Sequence, residues 1–134
     1  MNDKKTALLV CSGASNTGQI TNEVAKKICK DNKNTNMICL AALPLNHKST
    51  LEKVNAADKI IVINGCPVSC ASKILEKYTN KKPAICVNVM EEYKIKKSPD
   101  LSAYTSEDIE KISKDILEKI EAKYEETDNN KLLR

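Results

Sequence analysis

The run Ile60-Ile61-Val62-Ile63 restricts the fold more than any other stretch of the chain. Four consecutive β-branched apolar residues predict a strand buried on both faces, as in a parallel sheet sandwiched between helices. Its surroundings repeat the theme. Thr6–Val10, Met37–Ala41 and Pro83–Val89 are further short apolar runs, and stretches of helical periodicity separate them. Ile20, Val24 and Ile28 mark a first helix running to about Lys30, opened by Asn16-x-x-Gln19. Ser49-x-x-Glu52 opens a short second helix ending near Ala57. Pro67 suits the first position of a third, with Cys70, Ala71, Ile74, Leu75 and Tyr78 as its apolar face, running to about Thr79. Glu91–Asp100 reads as charged and irregular. Thr105-x-x-Asp108 starts a long last helix with the stripe Ile109, Ile112, Ile116, Ile120.

This βαβαβαβα pattern predicts a single α/β domain over residues 1–126, with residues 127–134 as a flexible tail. The alternation implies a three-layer, Rossmann- or flavodoxin-like fold, a parallel sheet with helices on both faces joined by right-handed crossovers, and the strand order expected for it is 2-1-3-4. The net charge of +4 arises from 22 basic and 18 acidic residues spread over helix surfaces, with no Phe or Trp on which a base could stack. Nucleic acid is therefore not an expected partner. Nor is a membrane: no apolar stretch approaches the roughly 18 residues of a spanning helix. The apolar run after Lys4-Lys5 is shorter than the roughly 7–15 residues of a signal-peptide core, so the expected compartment is the cytoplasm. Thiols stay reduced there, and six cysteines in one domain then point to metal or redox chemistry rather than staples.

In an open parallel sheet, ligands bind beyond the carboxyl ends of the strands, where the strand order reverses. Cys11 follows the first strand and Cys66 the third, so a 2-1-3-4 order turns both toward one crevice. Cys39, late in the second strand, reaches the same edge. Cys70 lies one helical turn beyond Cys66. Cys66 near a helix N-cap, and Cys11 before the small-residue loop Ser12–Gly18, are placed as readily ionised thiols. Such thiols hold zinc or an iron–sulfur cluster, or act as nucleophile, disulfide partner or persulfide carrier. The competing readings are packing in the third helix for Cys70 and in the second strand for Cys39. Cys29 and Cys86 read as structural, and His47, the only histidine, as a solvated loop residue that could complete a site. Ser12, Ser15, Asn16 and Asn64 are the polar groups placed to bind an anion or support the ligands. The loop is no phosphate clamp of the Cys-x5-Arg type, because Thr17 stands where the arginine would be. Glu91 and Glu92 after the fourth strand read as ordinary solvated charges, so no acid–base pair is evident.

Three motifs, Cys11-Ser-Gly-Ala-Ser-Asn-Thr-Gly-Gln19, Cys39-Leu-Ala41 and Gly65-Cys66-Pro-Val-Ser-Cys70 followed by Lys73, closely resemble the DGC-domain family over roughly Ala7 to Tyr78. The resemblance implies metal binding through Cys11, Cys39, Cys66 and Cys70. Two departures stand out: Asn64 occupies the position of the family's name-giving Asp, and Ala42-Leu43-Pro44 replaces a glycine-rich stretch. The expected ligand is a metal ion, zinc by default or an iron–sulfur cluster. The alternative is a thiol, persulfide or redox enzyme using Cys11 and Cys66, with a small sulfur species or a redox protein as partner.

Overall fold

In the computed structural model, which describes residues 4–132, the apolar runs form one parallel sheet. Its strands are β1 (Thr6–Val10), β2 (Thr35–Met37), β3 (Lys59–Asn64) and β4 (Ile85–Asn88), in the order β2-β1-β3-β4. β1 pairs with β2 from Thr6 opposite Thr35 and with β3 from Thr6 opposite Lys59, while β3 pairs with β4 from Ile61 opposite Ile85. The helices are α1 (Asn16–Asp31), α2 (Lys48–Ala56), α3 (Cys70–Tyr78), α4 (Val89–Tyr93) and α5 (Ser106–Leu132). The expected α/β arrangement and strand order are both present.

The β-branched run explains the layering. Ile61 and Ile63 join Leu8, Val10 and Val87 beneath Ile20, Val24 and Ile28 of α1 and Ile112, Ile116 and Ile120 of α5. Ile60 and Val62 point the other way, with Ala7 and Leu9, against Val54 of α2 and Ala71 and Leu75 of α3. Alternate residues of one strand thus serve two cores, and burying each such side chain contributes about 1.5–3 kcal/mol before entropy is counted. The two ends of the chain meet where the buried Tyr124 hydroxyl shares a hydrogen bond of 2.6 Å with Thr6 Oγ1.

Several element boundaries differ from the sequence expectation. β2 ends at Met37, so Cys39 lies beyond the strand, at the start of a 3₁₀ turn over Leu40–Ala42. Pro67 does not open α3. It sits in a turn closed by the Ser69 amide on the Cys66 carbonyl at 3.0 Å, a position that suits its fixed φ. Ser69 is left-handed, with φ of 56°, and a right-handed helix cannot continue through it, so α3 starts at Cys70. Part of the irregular 91–100 stretch is the short helix α4, which Asn88 caps by accepting from the Glu91 amide. α5 runs past the expected boundary at residue 126, making 127–132 helical; the last two residues of the expected tail lie outside the described residues.

Candidate functional site

All three glycines of the chain stand at the carboxyl edge of the sheet, in the segments that follow β1 and β3. None has a positive φ; space, rather than conformation, requires them. A Cβ on Gly18 would lie 2.6 Å from the Gly13 carbonyl oxygen, and one on Gly65 2.9 Å from the backbone of Thr17 and Gly18. The loop after β1, the first turn of α1 and the end of β3 are therefore packed backbone to backbone. This brings the Cys11 and Cys66 segments side by side. Cys11 Sγ itself folds over Gly13, where a Cβ would stand 2.9 Å away.

Side chains then lock the loop. Ser15, not Asn16, caps α1, its Oγ accepting from the Gly18 amide at 3.1 Å. Left-handed Ser12 donates its amide to Thr21 Oγ1 at 2.9 Å and its hydroxyl to Asn22 Oδ1 at 3.3 Å. Thr21 Oγ1 donates in turn to the Gly18 carbonyl, and Gln19 Nε2 to the Gly13 carbonyl. The amides of Ser12, Asn16 and Gly18, candidates for cradling an anion, are each bonded within the protein. Asn16 is 2% exposed and serves as a clamp. Its Nδ2 donates to the carbonyls of Lys96 and Ala103, at 2.9 and 3.1 Å. Its Oδ1 accepts from the Ser98 amide at 2.6 Å, and its own amide donates to the Ser98 carbonyl at 3.0 Å. Ser15 and Asn16 thus hold the site's framework rather than face a ligand.

The thiols separate into distinct environments, and all six are free. Cys66 is half-buried in the turn after β3, and Lys97 Nζ donates toward its sulfur at 3.5 Å. The expected helix N-terminus at Cys66 is absent; Cys70 is the first residue of α3. Both Cys70 and Cys39 are exposed, which corrects their packing alternatives. Cys29 is half-buried against the core, and burial pushes its thiol above the ordinary value, opposed by a hydrogen bond from the Met37 backbone. Cys86 departs from the structural reading: it is exposed and hydrogen-bonds to Ser72 Oγ at 3.2 Å.

Asn64 does not face Cys11 and Cys66. It is 2% exposed and turns toward α3. Its Nδ2 donates to Ser72 Oγ at 2.7 Å and toward Cys86 Sγ at 3.5 Å, and its Oδ1 accepts from the Ser72 amide at 3.3 Å. A strand residue thereby satisfies an amide in the first turn of α3, whose N-cap Ser69 makes no side-chain cap bond. His47 precedes α2 and pairs its Nδ1 with Thr50 Oγ1 at 2.9 Å. Glu92 is also engaged, accepting from the Asn88 amide and pairing with Lys119.

Cys11, Cys39, Cys66 and Cys70 therefore leave the carboxyl ends of three adjacent strands, two of them side by side. Among the described residues, no three His, Cys, Asp or Glu side chains are gathered into a ready metal-binding group. The donor set suits a soft cation chemically, but it would close only as the ion binds. Lys97 is the participant that sequence reasoning missed. The one available signal was the Lys94–Lys97 cluster following a strand whose end lies at this edge. No helix among the described residues is long and apolar enough to cross a membrane. A cavity of about 500 Å³ at the opposite edge, lined by Lys4, Thr6, Asn34 and Tyr124 among others, has no thiol in its walls.

The family profile of the DGC domain matches residues 7–116. Neither the curated proteins nor the solved structures contain a match to the chain.

Proposed function

This chain belongs to the DGC-domain family, and on that premise we propose that its carboxyl sheet edge binds a soft metal ion through cysteine thiolates, zinc by default. The single supporting observation is that the segments after β1, β2 and β3, which are neighbours in the sheet, each carry one of the four cysteines of the family motifs or, after β3, two. Cys11 and Cys66 form the anchoring pair. Cys39 and Cys70, both exposed, complete the set by moving inward. Bound zinc would tie three loops together, so binding free energy appears as fold stability.

Anaerobic purification followed by elemental analysis tests the reading. About one metal ion per chain is expected, with a stoichiometry that collapses in Cys11→Ser and Cys66→Ser. Reconstitution at neutral pH should release protons, because each thiol gives up its proton as its sulfur binds the ion. Protein that carries no metal near one per chain and takes none up on reconstitution overturns the proposal. A brown preparation with visible absorption would replace zinc by an iron–sulfur cluster.

A second reading, a thiol nucleophile for sulfur or redox chemistry, is favoured by the Lys97 ammonium at the Cys66 sulfur. This reading expects Cys66 to alkylate faster than Cys29, and a persulfide, or a disulfide with Cys11, to appear in its mass spectrum. Both readings fit a reducing compartment such as the cytoplasm.

A further inference from the structure

We infer that Lys97 makes Cys66 selective for small anionic partners, so that the edge takes a small anion bearing an electrophilic atom in preference to a neutral molecule of the same shape. The inference rests on the thiol edge being the functional site and names the ligand class it accepts.

Two observations carry it. First, the backbone that carries the ammonium is fixed. Asn16 holds the carbonyl of Lys96 on one side of Lys97 and both backbone groups of Ser98 on the other. Asn16 sits in the first turn of α1, packed against Gly65, so the lysine's backbone and the Cys66 turn share one rigid support. Second, the charge is not spent. The ion pairs among the described residues involve Lys26, Lys27, Lys119 and Lys123, and the hydrogen bond of the Lys97 side chain goes to Cys66 Sγ. An ammonium with no carboxylate on it, held beside a reactive atom, raises the local concentration of anions. Lys97 acts here as a positioning residue that sets specificity.

The test compares iodoacetate with iodoacetamide on the full chain, reduced and stripped of metal by a chelator. Site-resolved mass spectrometry reads the rate at each cysteine. In both reactions the thiolate attacks the methylene carbon, an S–C bond forms, the C–I bond breaks and iodide leaves with its electron pair. The thiol proton has already gone to buffer. Because both reagents meet the same thiolate, their rate ratio at one cysteine cancels its ionised fraction and reports the local charge.

At low salt the iodoacetate to iodoacetamide ratio at Cys66 should exceed that at the exposed Cys39 and Cys86 by about fivefold, the size of one partly screened charge contact. High salt should bring the three together. Lys97→Met should abolish the excess and Lys97→Arg retain it. Asn16→Ser should reduce it with Lys97 still present. A ratio at Cys66 equal to that at Cys39 and Cys86, or one unmoved by Lys97→Met, overturns the inference. Metal analysis is independent of this ratio, so failure of zinc binding and failure of anion selectivity are separately visible.

Discussion

Backbone geometry at single residues divides the work unexpectedly in this chain. The left-handed positions are taken by Ser12, Asn46, Ser69 and Lys94, none of them glycine, while the three glycines occupy ordinary conformations where no side chain would fit. Gly18→Ala would force a methyl group into the Gly13 backbone, which cannot swing aside as a side chain can. It should cost about 3 kcal/mol, at the upper end of overpacking penalties, measured by urea denaturation. A cost below about 0.5 kcal/mol, as at an ordinary surface position, would mean that the loop relaxes freely. The glycines were legible in sequence as part of the Cys11 and Cys66 motifs, but their reason was not, because it depends on backbone contact between segments far apart in the chain. The same holds for Asn16. Its spacing to Gln19 suggested a cap, yet its partners lie some eighty positions away, and no local pattern encodes them.

Elements with strong apolar periodicity were read well from sequence, and short ones were not. The buried stripe of α5 and its reciprocal cap, with the Asp108 amide on Thr105 Oγ1 and the Thr105 amide on Asp108 Oδ2, stand where the pattern put them. The start of α3 was misplaced because Pro67 serves equally at a helix start and in a turn. The left-handed Ser69 decides between the two. That error carried into the chemistry, for it had given Cys66 a helix terminus as its source of positive potential; Lys97 fills that role instead. α4 is only five residues long, too short for a periodic signal. It ends at Lys94 in a left-handed C-cap, where glycine carries no Cβ penalty. Lys94→Gly should therefore stabilise the protein by about 1 kcal/mol, seen as a higher melting temperature. Unchanged or lower stability would show that the lysine side chain contributes more than its backbone costs.

At the scale of the whole molecule, two cores flank one sheet, and several acidic protons are held by burial. Burial raises the Tyr93 hydroxyl above its ordinary value of 10.0, and Asp115, which accepts its hydrogen bond, raises it further. Burial likewise raises Tyr124 and Cys29. The sign follows from proton counts. Above about pH 9 the unfolded chain releases a thiol proton, and above about pH 10 phenol protons, that the folded chain keeps, so stability is intact below about pH 9 and falls as pH rises. Chemical denaturation across the alkaline range should show this limb, and Tyr93→Phe should flatten it. An identical slope in Tyr93→Phe would place the titration elsewhere. The alternation of strands and helices made the parallel sheet legible, and the expected strand order, which the structure has, brings the thiol-bearing segments to one edge. Whether those thiols close on an ion depends on loop positions that composition and spacing do not encode.

The bond between Thr6 and Tyr124 spans 118 positions of the chain, and that has a consequence for synthesis. A ribosome adding about 5–20 residues per second makes β1 roughly ten seconds before the helix that covers one of its faces. Over that interval Leu8 and Val10, fully covered in the finished protein, await Ile112, Ile116 and Ile120 from the last helix. The thiol-bearing segments are complete sooner, because those after β1, β2 and β3 reach their cysteines before residue 71. On the proposed function, a soft ion captured there would brace three of the four strands while the rest of the chain is still being made.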